Sequence, residues 1–199
     1  MKPPSCKSHS LQRVVGYYEG WAANRPCNAF LPEQIPVGVY THLNFAFASI
    51  DPFTYEVRPA SQADTRLYRR LTSLKRIDPD LKVLIAIGGW TFNDPGPTAT
   101  TFSDIARSES AQRAFIKSLI SFMSTYDFDG VDLDWEYPGA EDRSGRGEDF
   151  ENFPKFLANL KSALRATGGK DEVTLTLPAS FCKYRTCKVL LHRDANEEL

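Results

Sequence analysis

The 199-residue chain is 42% hydrophobic and 25% charged, an ordinary globular composition with enough apolar residues for one sizeable core and at most one domain. Its 24 Lys and Arg stand against 25 Asp and Glu, which offers no basic surface to nucleic acid or an anionic membrane and points to a neutral substrate. The longest apolar run, Val83 to Ile87, is far too short to span a bilayer, and Met1-Lys-Pro-Pro-Ser leads into no apolar signal-peptide core.

Short apolar runs alternate with helical patterns, which predicts strand-helix units and a parallel sheet. The first strand is expected over Val14-Val15-Gly16-Tyr17-Tyr18. Cys6 and Cys27 flank it and suit a staple in a secreted protein, although the cysteines at 6, 27, 182 and 187 allow other pairings. The second strand is expected from His42 to Ala48, then a helix over about 63–77 with Leu67, Leu71 and Leu74 at helical spacing, stopped by Asp78-Pro79. A third strand, Lys82 to Ile87, precedes a helix that Ser108 can cap and whose apolar stripe is Ala111, Ala114, Phe115, Leu119, Phe122 and Met123. The fourth strand runs from Gly130 to Trp135. A further helix places Phe153, Phe156, Leu157, Leu160 and Leu164 on one face until Thr167-Gly168-Gly169 ends it, and Val173 to Leu177 makes a fifth strand. Near the end, Cys182, Cys187 and His192 have loosely ligand-like spacing but lack the fourth ligand of a standard zinc pattern.

The chemistry is concentrated in Asp129-Gly-Val-Asp132-Leu-Asp134-Trp-Glu136-Tyr-Pro138. In a strand, Asp132, Asp134 and Glu136 share one face while Val131, Leu133 and Trp135 share the other. Neighbours on a face lie about 6.6 Å apart, where two unit charges repel by about 2.5 kcal/mol at an effective dielectric near 20. Three such carboxylates do not all ionise easily near neutrality, so at least one keeps a proton and can act as a general acid. Aromatic residues gather at the same strand ends: Tyr17 and Trp21, Phe47, Trp90 and Phe92, and Tyr137. Their flat faces suit sugar rings, which suggests a carbohydrate cleft. Gly88-Gly89 before Trp90 reads as a turn that lets backbone approach a ligand.

These residues carry a resemblance. Asp129 to Glu136 is similar to the DGxDxDWE signature of glycoside hydrolase family 18, the chitinases. Gly16-Tyr17-Tyr18 with Trp21, Thr41 to Phe47, Ala86-Ile-Gly-Gly-Trp90 and Thr174-Leu-Thr-Leu-Pro178 resemble the family's other strands in the same order. Tyr17-Tyr-Glu-Gly-Trp21, Arg25-Pro-Cys27 and Phe92-Asn-Asp-Pro-Gly-Pro-Thr98 look most like its fungal, killer-toxin-like members. The resemblance implies a TIM-type (β/α)8 barrel that hydrolyses β-1,4-linked N-acetylglucosamine in chitin with retention, the nucleophile being the substrate's own acetamido oxygen. By position, Glu136 is the implied general acid/base, Asp134 orients the acetamido group, and Asp132 beneath it holds or shares a proton. Tyr17, Phe47, Trp90 and Tyr137 are the implied substrate-binding residues, with Asp129, Gly88 and Gly89 as structural support. The resemblance implies no metal ion and no cofactor, chitin or its oligosaccharides as partner, neither nucleic acid nor membrane, and an extracellular location.

Two departures accompany the likeness. The family usually carries Ser where this chain has Ala86, which removes a hydroxyl beside the acidic column. After Phe181 the chain reads Cys-Lys-Tyr-Arg-Thr-Cys and lacks the family's sixth-strand Met-x-Tyr-Asp motif and eighth-strand Trp. The expected layout is therefore an N-terminal flank over 1–10, a partial catalytic barrel over 11–181 cut after about the fifth strand, and a divergent tail over 182–199. Two other readings compete: a lectin-like carbohydrate binder without turnover, against which Glu136 stands, and a Mg²⁺ or Ca²⁺ site built from the four carboxylates.

Overall fold

The computed structural model of the protein describes residues 13–178, so the four-cysteine pairing, the Cys182-Cys187-His192 group and the 182–199 tail lie outside the described residues. Cys27 is exposed. Six strands form one sheet: β1 (Val15–Glu19), β2 (His42–Ile50), β3 (Val57–Pro59), β4 (Lys82–Gly88), β5 (Gly130–Asp134) and β6 (Glu172–Leu175). The order β1-β2-β4-β5-β6 is parallel throughout, and β3 turns back antiparallel on β2. Among the described residues four α-helices cover the outside: α1 (Asp64–Thr72), α2 (Thr101–Arg107), α3 (Glu109–Tyr126) and α4 (Asp149–Arg165). This is a TIM-type α/β arrangement holding five successive parallel strands of a barrel.

Periodicity explains most of the elements. β4 is buried from Val83 to Gly88, as a strand covered on both faces must be. α3 starts where expected, with Ser108 Oγ accepting the amide of Ala111 at 3.3 Å, and it buries Ala111, Phe115, Leu119, Phe122 and Met123. α4 buries Phe153, Phe156, Leu160 and Leu164. The Tyr68 ring of α1 lies at the centre of an aromatic cluster, with Phe45, Tyr126, Phe122 and Phe128 at 4.5, 5.0, 5.4 and 5.7 Å between centroids.

Five local points of the expected layout need correction. The helix expected to reach residue 77 stops at Thr72 and tightens into a 3-10 turn over Ser73–Arg76, because the last Leu of its stripe, Leu74, is buried by that tighter turn. The fourth strand ends at Asp134, one residue early, and the last covers 172–175 rather than 173–177. β3 was not foreseen, since three residues carry too little alternation. α2 was not foreseen either; its seven residues pack Phe102 and Ile105 inward.

Candidate active site

The acidic stretch lies at the C-terminal ends of the parallel strands, where side chains from several strands converge. β5 is buried along its whole length, with Asp132 and Asp134 facing the barrel interior and 1% and 6% exposed. On the other face Val131 and Leu133 enter the core; just past the strand, Trp135 stacks on Phe102 at 5.5 Å and meets Phe153 edge-on at 5.0 Å. The alternation continues one step beyond the strand and brings Glu136, half-buried, up beside Asp134.

Each aspartate is held by hydroxyls. Tyr17 of β1 reaches across the interior and donates to Asp132 Oδ2 at 2.6 Å, while Thr174 of β6 donates to Asp132 Oδ1 at 2.6 Å. Thr176 donates to Asp134 Oδ1. Burial pushes the Asp134 carboxyl up to about 6, opposed by the Thr176 bond and reinforced by the charges of Glu136 and Asp132 and a hydrogen bond shared with Glu136. Crowding therefore keeps a proton as the strand geometry predicts, but desolvation leads and like-charge repulsion follows. The Tyr17 phenol is likewise pushed up, by burial first and then by Asp132, so it stays a donor.

The paired glycines have a steric reason. Gly88 and Gly89 adopt φ of +113° and +87°; a Cβ on Gly88 would lie 2.3 Å from the Asp134 carbonyl oxygen, and one on Gly89 would lie 2.8 Å from the Phe47 ring. That closeness lets the Gly89 amide bond the Asp134 carbonyl at 2.8 Å and holds the end of β5 against β4.

The predicted aromatic residues separate. Trp21 and Phe47 stack at 6.2 Å, and Trp90 is 53% exposed. Tyr137 is half-buried next to Glu136. Tyr17 sits within β1, as in the expected first strand, with its hydroxyl committed to Asp132. Phe92 is a buried core residue packed on Phe102 at 5.2 Å and belongs to the fold rather than the cleft. Asp129 stands apart from the other carboxylates: its oxygens take Lys75 Nζ at 2.9 Å and the Val83 amide at 2.8 Å, at the opposite end of β5. The four carboxylates do not converge, which removes the geometry a four-carboxylate cation site requires.

The sequence reading missed Arg143. It is 8% exposed, lies 3.9 Å over the Trp90 ring, and donates to the Trp90 carbonyl, to Asp94 Oδ1 at 2.7 Å and to the Glu136 carbonyl at 3.3 Å. It ties the Glu136 backbone to Trp90, and nothing in its neighbours Glu141-Asp-Arg-Ser-Gly145 distinguishes it from a solvated loop charge. Thr174 and Thr176 were missed as well, since their pairing with the aspartates depends on β6 lying beside β5.

The model of the family described as glycosyl hydrolases family 18 matches residues 13–191. The endochitinase of Manduca sexta is 35% identical over 176 residues, covering 86% of this chain and 31% of the relative. Catalytic domain 2 of the Ostrinia furnacalis Group II chitinase, solved as a mutant in complex with penta-N-acetylchitooctaose, superposes with a TM-score of 0.77 at 30% identity, over 85% of this chain and 44% of that one. Human YKL-39, described as a pseudo-chitinase with retained chitooligosaccharide binding, superposes with a TM-score of 0.68 at 27% identity, over 82% of this chain and 43% of that one. The chain thus spans less than half the length of these proteins. With the signature in place on β5, the fold shared and the family model matching most of its residues, the chain belongs to glycosyl hydrolase family 18.

Proposed function

We propose that this chain carries the catalytic half of a secreted chitinase, of the killer-toxin-like type, that cleaves β-1,4-N-acetylglucosamine linkages with retention. Glu136 protonates the glycosidic oxygen and then activates water. Asp134 orients the acetamido group as its oxygen closes on the anomeric carbon, and Asp132 fixes Asp134 from below. Family 18 is a substrate-assisted exception among retaining enzymes, so no second carboxylate nucleophile is required. Trp90, Phe47 and Tyr137 supply apolar surface to the sugar rings.

The observation that carries the reading is the Asp134–Glu136 pair. A carboxyl with a pKa of about 6 beside a half-buried Glu at a strand end keeps a shared proton available near neutrality, as proton donation to a leaving oxygen needs. Among the described residues no helix is long and apolar enough to cross a membrane.

The test is hydrolysis of chitin oligosaccharides by a barrel-complete protein that keeps residues 13–178 unchanged. Glu136→Gln should lower turnover by about 10² to 10⁴ while oligosaccharide binding persists, and cello-oligosaccharides, which lack the acetamido group, should not be cleaved. Near-parental turnover in Glu136→Gln would remove Glu136 from the reaction. Tight binding without turnover in the parent would favour the lectin-like reading, the behaviour described for YKL-39.

A further inference from the structure

Thr174 of β6 and Thr176, one residue past its end, face the barrel interior in step with the aspartates of β5. The parallel register sets Asp132 opposite Thr174. The two hydroxyls are then distributed one to each aspartate, Thr174 to Asp132 and Thr176 to Asp134. On the other side of β5, the residue in register with Asp132 is Ala86, fully buried and offering only a methyl group. Sequence reading left the acidic column short of a hydroxyl at that position. The structure supplies one from the opposite neighbouring strand.

Resting on the catalytic reading above, we propose that Thr174 and Thr176 are positioning residues that tether the aspartate column from β6 and the residue just past it, replacing a tether from β4. With Tyr17 on one oxygen and Thr174 on the other, Asp132 has a hydroxyl for each oxygen and no reason to rotate. With Thr176 on Oδ1, Asp134 has its other oxygen left to share a proton with Glu136. The tether thus fixes which way Asp134 faces before substrate arrives. A hydroxyl donating to a carboxylate favours its charged form, so Thr176 also restrains the upward push that burial gives Asp134. Asp132, Glu136 and Tyr17 are the other titratable groups that act on this pair of aspartates.

The experiment has two arms. In the first, a barrel-complete protein that keeps residues 13–178 unchanged is made with ¹³C-carboxyl aspartate and titrated by isotope-edited infrared spectroscopy, the Asp134 band being the one lost in Asp134→Asn. Thr176→Val should move its midpoint upward from about 6 by roughly one pH unit, and Thr176→Ser should restore it. An unmoved midpoint in Thr176→Val overturns the tether on Asp134. In the second arm, a barrel-complete protein carrying Thr174→Val should lose kcat on chitin oligosaccharides by about tenfold with KM little changed. Adding Ala86→Ser, which returns a hydroxyl from β4, should recover part of that loss. Full activity in Thr174→Val, or no recovery with Ala86→Ser while Thr174→Ser is active, overturns the tether on Asp132. If the infrared arm behaves as expected and the parent cleaves nothing, the tether stands and the chitinase reading falls.

Discussion

At the scale of single residues, the site is governed by desolvation more than by spacing. The strand pattern gives roughly two pKa units of mutual repulsion among the carboxylates, and Asp134 is raised by about that much, from 3.8 to about 6, yet the leading cause is burial. A carboxyl raised in the folded state binds its proton more tightly than in the unfolded chain. Its contribution to stability is therefore full below about pH 3.8 and is lost as pH rises through about 6. Allowing for solvent near the open cleft, that loss is about 1–2 kcal/mol. Asp134→Asn removes the titration, so the fall in urea-unfolding free energy between about pH 4 and about pH 7 should be smaller in the variant by that amount. An identical fall in both proteins would show that Asp134 titrates normally. Arg143 is the other residue whose weight comes from burial. Arg143→Met would leave the Asp94 carboxylate and the Trp90 and Glu136 carbonyls without this donor, at a cost of about 2–3 kcal/mol in chemical denaturation. Unchanged stability would mean that water replaces the guanidinium at no cost.

At the scale of elements, the helices follow local rules and the strands do not depend on them. Ser108 closes the first turn of α3, and Asp127 at φ of +63° ends it, donating its amide to the Met123 carbonyl. Ser108→Ala should cost about 1 kcal/mol, read as a lower urea midpoint with unchanged slope. No loss would mean that another group takes the Ala111 amide. The apolar stripes of α1, α3 and α4 were readable because each keeps helical period over at least two turns. α2 and β3 were not, since seven and three residues are too short for a period to declare itself, and both exist through contacts made by distant segments. β3, for example, gains the Ser118 hydroxyl of α3 as acceptor for the Val57 amide at 2.9 Å.

At the scale of the molecule, β1 and β6 are the two edges of the sheet among the described residues. Val15, Tyr17 and Leu177 beside those edges are 42, 46 and 46% exposed. Unpaired edges flanked by apolar side chains favour association, so the 199-residue chain made alone should elute as a polydisperse species in size-exclusion chromatography. A sharp monomer peak would show that these edges are covered. The edges are also held toward each other from within: Glu172 of β6 pairs with Arg13 and with His42 of β2, and Tyr17 of β1 reaches Asp132 of β5, so the five strands curve as a barrel wall does. The order of the parallel strands and the three longer helices, the acidic face of β5 and the buried stripes were determined by the sequence alone, because period and turn chemistry act over a few neighbouring residues. Which carboxyl holds the proton, that Asp129 serves Lys75 and β4 rather than the cleft, that Phe92 belongs to the core, and that Arg143, Thr174 and Thr176 complete the site were decided only by tertiary structure. Each depends on burial or on a partner from a different strand or loop, and no local pattern encodes either.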